Sequence, residues 1–164
     1  EMTSSLVGSE MCIRDRSKTV LTPLQGKVLA QADIPDETFA QGILGPGCGI
    51  EPTGDTVYAP FDGTVTQIAT TLHAVGITSN DGIELLIHVG MDTVEMNGNG
   101  FKALVKVGDK VKAGTPLLKV DLDAIRAAGH PTATAIIVTN GDDLGELKML
   151  AEGDILAGTP LFKF

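Results

Sequence analysis

Residues 107–120 read VGDKVKAGTPLLKV, and residues 152–164 read EGDILAGTPLFKF, the same phrase with one residue deleted. Each copy holds a short apolar run, a glycine-centred turn and a second apolar run, the pattern of strand, tight turn and strand. A second echo lies upstream, where VLTPLQGKV (20–28) matches VYAPFDGTV (57–65) at the Val, Pro, Gly and Val positions. The spacing between copies is irregular, which argues against a solenoid. A duplicated β motif closed into one sandwich or barrel accounts for it. The chain between the copies agrees. TVTQIATT alternates, HAVGI and IELLIHV are apolar, and TAIIVTN reads as a fully buried strand. Helix is confined to DLDAIRAAG, with Asp121 at its start and Gly129 as its stop, and to single turns at DETFAQGI and DTVEMNG. The expectation is an all-β antiparallel sandwich or barrel with a duplicated motif and minor short helices.

Composition narrows the function. At 164 residues the chain suits one domain with a proper core. Its 43% hydrophobic but 4% aromatic content, with 20 glycines and eight prolines, fits many short strands joined by tight turns. No apolar run reaches the roughly 18 residues a membrane-spanning helix needs. A net charge of −9 argues against nucleic acid, whose affinity rests on Lys and Arg at phosphates, and fits partners with basic surfaces. Cys12 and Cys48 form neither a metal spacing nor a disulfide framework. Cys48, in GPGCGI, reads as a small buried residue in a turn. The first 18 residues, EMTSSLVGSEMCIRDRSK, have no hydrophobic period and no signal-peptide core. LVGSEMCIRD resembles one reading frame of a transposon-end adapter used in preparing DNA sequencing libraries. On that reading residues 1–18, Cys12 included, are an extraneous disordered tail, and 19–164 form the domain. The native protein then begins near Lys18 or extends upstream.

Two histidines stand on apolar strands, in TTLHAVGI and IELLIHVGMDTV. The intervening TSNDG is a dense turn signal. A four-residue loop Ser79–Gly82, or a two-residue turn at Asn80-Asp81, pairs His73 with His88. Directly opposed Cβ atoms lie about 4.5–5.5 Å apart on one face. A turn at Asp81-Gly82 would pair His73 with Gly90 instead. One histidine on an apolar strand reads as a hydrogen-bonded core residue. Two facing each other cost desolvation unless each is satisfied, and can titrate as a coupled pair. With no cysteine cluster and no serine nucleophile motif, such a pair either holds a metal or supplies a nucleophile that attacks phosphorus. His130, in AAGHPT, reads as an incidental loop residue.

TPLQGKV, IPDETFAQGILG, GIEPTGDTVYAPFDGTV, TTLHAVGITSNDGIELLIHVGMDTVEMNGNGF and KVGDKVKAGTPLLKVDL together resemble enzyme IIA of the bacterial sugar phosphotransferase system, glucose/β-glucoside type. The resemblance covers Val20 to Phe164. HVGMDTVEMNGNGF is its most specific stretch, with Met91 where the pattern carries Ile. The resemblance implies a β-sandwich on a duplicated motif. It implies that His88 accepts a phosphoryl group on Nε2 from phospho-HPr and passes it to a cysteine of an enzyme IIB domain. His73 and Thr71 would help hold that group, and a Gly90 carbonyl would take the Nδ1–H of His88. Asp36 and Asp92 would meet basic residues of HPr, although either could instead be a turn cap. Phe39, Ile43 and Leu44 would form an apolar docking rim, with a core role equally open. No cofactor is required, though zinc could sit incidentally at His73 and His88. The resemblance also implies a cytoplasmic location and association or fusion with a membrane permease.

This chain departs from the pattern in places. Leu72 stands where some members carry Asn, and Ala69, Val75 and Val89 stand where aromatic residues ring the site in some relatives. Three rivals remain. A LytM-like zinc endopeptidase would use the HxxxD spacing of His88 and Asp92, but lacks the HxH pair and a third ligand. A biotinyl- or lipoyl-type carrier would need a lysine at a hairpin tip, and Lys148-Met149 reads as a helical turn. A regulatory protein whose histidine pair reports phosphorylation, or shares a metal with a partner, would carry the same residues.

Overall fold

The computed structural model describes residues 19–164, and in it the four echoed segments pair crosswise. The 20–28 copy forms β1 (Thr19–Leu21) and β2 (Gly26–Leu29), followed by β3 (Gly47–Pro52), which pairs with β2. The 57–65 copy forms β4 (Thr56–Tyr58) and β5 (Gly63–Ile68), followed by β6 (Ala74–Ser79), β7 (Glu84–His88) and β8 (Phe101–Ala103). The 107–120 copy forms β9 (Lys110–Val111) and β10 (Pro116–Val120), followed by β11 (Thr134–Val138) and β12 (Lys148–Met149). The last copy forms β13 (Asp154–Ile155) and β14 (Pro160–Lys163). Strands β9 and β10 pair with β5 and β4, and β13 and β14 pair with β2 and β1, all antiparallel. The repeat is therefore structural as well as textual.

An eight-stranded sheet results, ordered β9-β5-β6-β7-β11-β3-β2-β13, with two three-stranded sheets, β4-β10-β8 and β12-β14-β1. One face of the large sheet, through Ile50, Val65, Val75, Ile77, Leu85, Ile87 and Ile136, joins Val20, Val57, Leu117, Leu118 and Phe162 of the small sheets in one buried cluster. That shared core makes the molecule a β-sandwich. β11 is buried at all five residues, as a run of Ala, Ile and Val in a central strand should be. Its other face, with Ala135 and Ile137, meets Ile34, Phe39 and Met91 in a smaller cluster under the segment that precedes β3.

Helix is as scarce as the sequence requires. α1 (Glu37–Ala40) is capped by Asp36, and α2 (Leu122–Ala127) by Asp121, whose side chain accepts from the Ala124 amide. Gly129 ends the second with φ +84°. DTVEMNG gives a 3₁₀ turn over Thr93–Met96. No helix of the described residues is long and apolar enough to cross a membrane.

Three local expectations are corrected. Cys48 is buried, but in β3 rather than in a turn, and burial pushes its thiol up to about 12, which removes it as a nucleophile. Lys148 and Met149 form an edge strand paired with β14, not a helical turn. The β6–β7 hairpin pairs Ala74 with His88 and Thr78 with Glu84, so its register differs by one from the pairing of His73 with His88. The reason is the loop. Ser79 accepts from the Gly82 amide and its own amide donates to Ile83, enclosing three residues, Asn80, Asp81 and Gly82. Gly82 takes φ +92°, the left-handed position that closes a three-residue hairpin loop. The expectations for residues 1–18 and for Cys12 fall outside the described residues.

A Cβ at Gly82 would meet nothing within 4 Å, so alanine there tests backbone conformation alone. Gly82→Ala should cost about 1–2 kcal/mol in urea unfolding, the left-handed penalty of an L-residue. An unchanged midpoint would contradict the loop geometry.

Candidate active site

A one-residue register change should send His73 to the core face, beside Val75. It does not, because His73 precedes the regular strand. Ala69 donates to the Ala74 carbonyl and Leu72 to Ala69, making a turn in which Leu72 adopts φ +63°. This conformation is strained for leucine by about 1–2 kcal/mol, and Leu72 packs part of its side chain on the core in compensation. The turn frees His73 from alternation. Its ring centroid lies 4.8 Å from that of His88, with the planes at 79°, edge to face. The two imidazoles meet, as expected, by a route the strand count did not contain.

Each ring is oriented by one hydrogen bond. Nδ1 of His88 lies 2.8 Å from the Gly90 carbonyl, which can only accept. His88 therefore carries its proton on Nδ1, and Nε2 is left with a free lone pair. Nδ1 of His73 lies 2.6 Å from the Thr71 hydroxyl. When that hydroxyl donates, the His73 proton sits on Nε2, ready to be given to an anion. Phe39 covers His88 from α1, with ring centroids 5.0 Å apart.

Both imidazoles are held neutral. Burial lowers the affinity of His73 for a proton, and the neighbouring His88 lowers it further. Burial also lowers that of His88, against the opposing pull of the Gly90 carbonyl, Asp36 and Asp92. A neutral ring is the nucleophilic form. The two acids differ in their local roles. Asp36 caps α1, accepting from the Thr38 amide at 2.9 Å. Asp92 stands before the 3₁₀ turn with φ +58° and its side chain caps nothing. It is Asp36, not Asp92, that doubles as a cap.

The remaining expected residues sort by exposure. Phe39 is buried, both in the smaller cluster and against His88. Ile43 and Leu44 are 68% and 40% exposed in the segment after α1, which removes the core reading for both. Val75 and Val89, expected at the rim, lie wholly inside the main core, because the alternation of β6, and that of β7 carried on to the residue after it, sends them inward. The site face is instead floored by Ala74 and Ala135, the direct partners of His88 on either side. Among the described residues no three His, Cys, Asp or Glu side chains form a metal-binding group. Sequence reasoning also missed Thr93, which is fully buried and donates to the Val89 carbonyl at 2.6 Å.

Two expectations follow from this geometry. Gly90 has φ +71°, and a Cβ there would stand 2.6 Å from Thr93 Cγ2 and 3.0 Å from the Pro131 carbonyl. Gly90→Ala should destabilise the protein by about 1–3 kcal/mol and displace the carbonyl that orients His88. Thermal unfolding and the His88 ring signals in NMR check both. The second concerns pH. Because both histidines bind protons more weakly folded than unfolded, where the pKa is about 6.5, the folded state binds fewer protons. Their contribution is complete above about pH 6.5 and is lost as pH falls through the lowered folded values. Between pH 7.5 and 5 the parent should lose more stability than the His73→Gln, His88→Gln double variant, measured by denaturant titration. Equal losses would mean that the rings are not desolvated.

Comparison with known proteins identifies the family. The sequence model for the family described as phosphoenolpyruvate-dependent sugar phosphotransferase system, EIIA 1, matches residues 18–144. The chain is 44% identical over 146 residues to a β-glucoside-specific EIIBCA component from Dickeya chrysanthemi, covering 89% of this chain and 23% of that protein. It is 42% identical over 144 residues to a glucose-specific EIIBCA component from Corynebacterium glutamicum, covering 88% of this chain and 21% of the relative. The chain thus spans less than a quarter of the length of these relatives. Among solved structures, the glucose permease IIA of Mycoplasma capricolum superposes with a TM-score of 0.83 at 32% identity, covering 88% of this chain and 93% of that one. With the fold, the motif and these matches in agreement, the chain belongs to the EIIA 1 family of the phosphoenolpyruvate-dependent sugar phosphotransferase system.

Proposed function

We propose that this domain is a phosphoryl carrier in which His88 is the nucleophile and His73, steadied by Thr71, is the helper. The observation that carries the reading is the 2.8 Å bond from His88 Nδ1 to the Gly90 carbonyl, which commits the ring to the tautomer with a bare Nε2. That lone pair attacks phosphorus. As the new N–P bond forms, the bond to the donor breaks and the donor atom leaves with its electron pair, while Nδ1 keeps its proton. The reaction depends on placement and charge stabilisation more than on acid–base work. His73, donating from Nε2, meets the incoming phosphoryl oxygens. No resident cofactor is needed, since the phosphoryl group is the cargo.

Phospho-HPr is the donor in this reading. The acidic pair Asp36 and Asp92, which already bias the charge on His88, and the exposed Ile43 and Leu44 present an acidic and apolar face to a basic partner. The acceptor is a cysteine of an enzyme IIB domain, consistent with EIIB and EIIC in the names of the fused relatives. The domain then acts in the cytoplasm, at the inner face of a membrane permease that takes up and phosphorylates a sugar.

Incubation with phosphoenolpyruvate, enzyme I and HPr tests the reading. Wild-type protein should take up one acid-labile phosphate, and His88→Ala none. His73→Gln keeps an amide donor and should still accept. Its onward transfer to enzyme IIB should slow by about 10²–10³, the usual loss on removing a transition-state donor. Stoichiometric uptake by His88→Ala with none by His73→Gln would reverse the two roles.

A further inference from the structure

Resting on the carrier reading of His88, we infer that Thr93 is a positioning residue whose buried hydroxyl holds the Val89–Gly90–Met91 backbone and so keeps the His88 proton on Nδ1. Thr93 is fully buried and touches neither imidazole in any hydrogen bond. Its importance lies in the loop that follows His88, where three successive peptide groups are tied down. The Val89 amide donates to the His73 carbonyl at 2.8 Å. The Val89 carbonyl accepts from Thr93 Oγ1 at 2.6 Å. The Met91 amide donates to the Pro131 carbonyl at 3.1 Å, while the carbonyl of the same peptide, that of Gly90, accepts from His88 Nδ1.

Two of these three ties come from backbone across the site. Only the middle one depends on a side chain. Glycine at φ +71° has the widest conformational freedom of any residue, so the Val89–Gly90 peptide is the place where the loop could rotate. The Thr93 hydroxyl stops that rotation, and its methyl group fills the space beside Gly90, 2.6 Å from where a Cβ would stand. Without the hydroxyl, the Val89 carbonyl is left buried and unpaired beside a residue that is 0% exposed. It gains by turning toward any other donor, and the Gly90 carbonyl turns with it. His88 then loses the acceptor that fixes its tautomer, and a ring protonated on Nε2 has no lone pair there for phosphorus.

The test uses the whole chain with ¹⁵N-labelled histidine and two variants that separate hydroxyl from methyl. Thr93→Val keeps the shape and removes the hydroxyl. Thr93→Ser keeps the hydroxyl and removes the methyl. Ring ¹⁵N shifts of the unphosphorylated protein report which nitrogen of His88 carries the proton. The expected result is that Thr93→Val moves His88 toward the Nε2-protonated form and slows phosphoryl acceptance by about 10–100-fold, by analogy with the loss of a group that orients a metal-ligating histidine. Thr93→Ser should keep the parent tautomer and rate even where its thermal midpoint falls. Parent-like ring shifts in Thr93→Val would overturn the inference, as would equal tautomer shifts in Val and Ser. If Thr93→Val does not fold, Thr93→Ser decides alone, a parent-like tautomer at lowered stability supporting the inference and a shifted one overturning it. The tautomer is read without phosphate, so failure of the parent protein to accept phosphate would count against the carrier reading and not against the role of Thr93.

Discussion

The hydrogen bond from His88 Nδ1 to the Gly90 carbonyl organises more of this molecule than its 2.8 Å suggests. An imidazole with both nitrogens free exchanges its proton between them, and half of its chemistry is then misdirected. A carbonyl cannot donate, so the proton is placed once and Nε2 is left basic. Everything near that bond serves to hold it. Gly90 takes a left-handed backbone so that its carbonyl can turn back on the preceding histidine, and Thr93 and Pro131 secure the peptides on either side. Burial keeps both rings neutral, while Asp36 and Asp92 limit how far the proton affinity of His88 falls.

The duplicated motif explains why such a bond can be held so firmly. Strands β7 and β11 lie at the centre of the large sheet and pair around a pseudo-two-fold axis, His88 with Ala135 and Leu86 with Ile137. The chain of partners Val65, Ile77 and Leu85 in one half corresponds to Val28, Ile50 and Thr134 in the other. Counted from those partners, the counterpart of His88 is Ile137 and that of His73 is Pro46. One half of the repeat carries the two facing histidines. The other carries an apolar residue in the same place, packed with Ile34, Phe39 and Met91 beside the site. His88 thus stands at the end of a central strand paired on both sides, a rigid element that holds its ring in place.

Much of this was legible in the chain. The two echoes, the buried TAIIVTN strand and the Asp121 and Gly129 helix signals depend on local pattern, and local pattern survives into the fold. The pairing of the histidines was legible only in outcome. Asn80-Asp81-Gly82 closes a three-residue loop, and the resulting shift of one residue would have separated the rings had Leu72 not turned left-handed. A leucine at positive φ leaves no sign in a sequence, because tertiary packing rather than propensity stabilises it there. Val75 and Val89 were misplaced for a related reason, since which face a strand residue occupies follows from register. Thr93 was hidden inside a recognisable motif, where its hydroxyl has meaning only once the Val89 carbonyl is known to be buried beside it.

The central claim is that Nε2 of His88 receives the phosphoryl group because Nδ1 is committed to a backbone carbonyl. The most direct measurement is NMR of the ¹⁵N-histidine-labelled protein after phosphorylation by enzyme I and HPr, reading the phosphorus–nitrogen coupling. The coupling is expected at Nε2 of His88, with Nδ1 still protonated. Coupling at Nδ1 of His88, or at either nitrogen of His73, would contradict it.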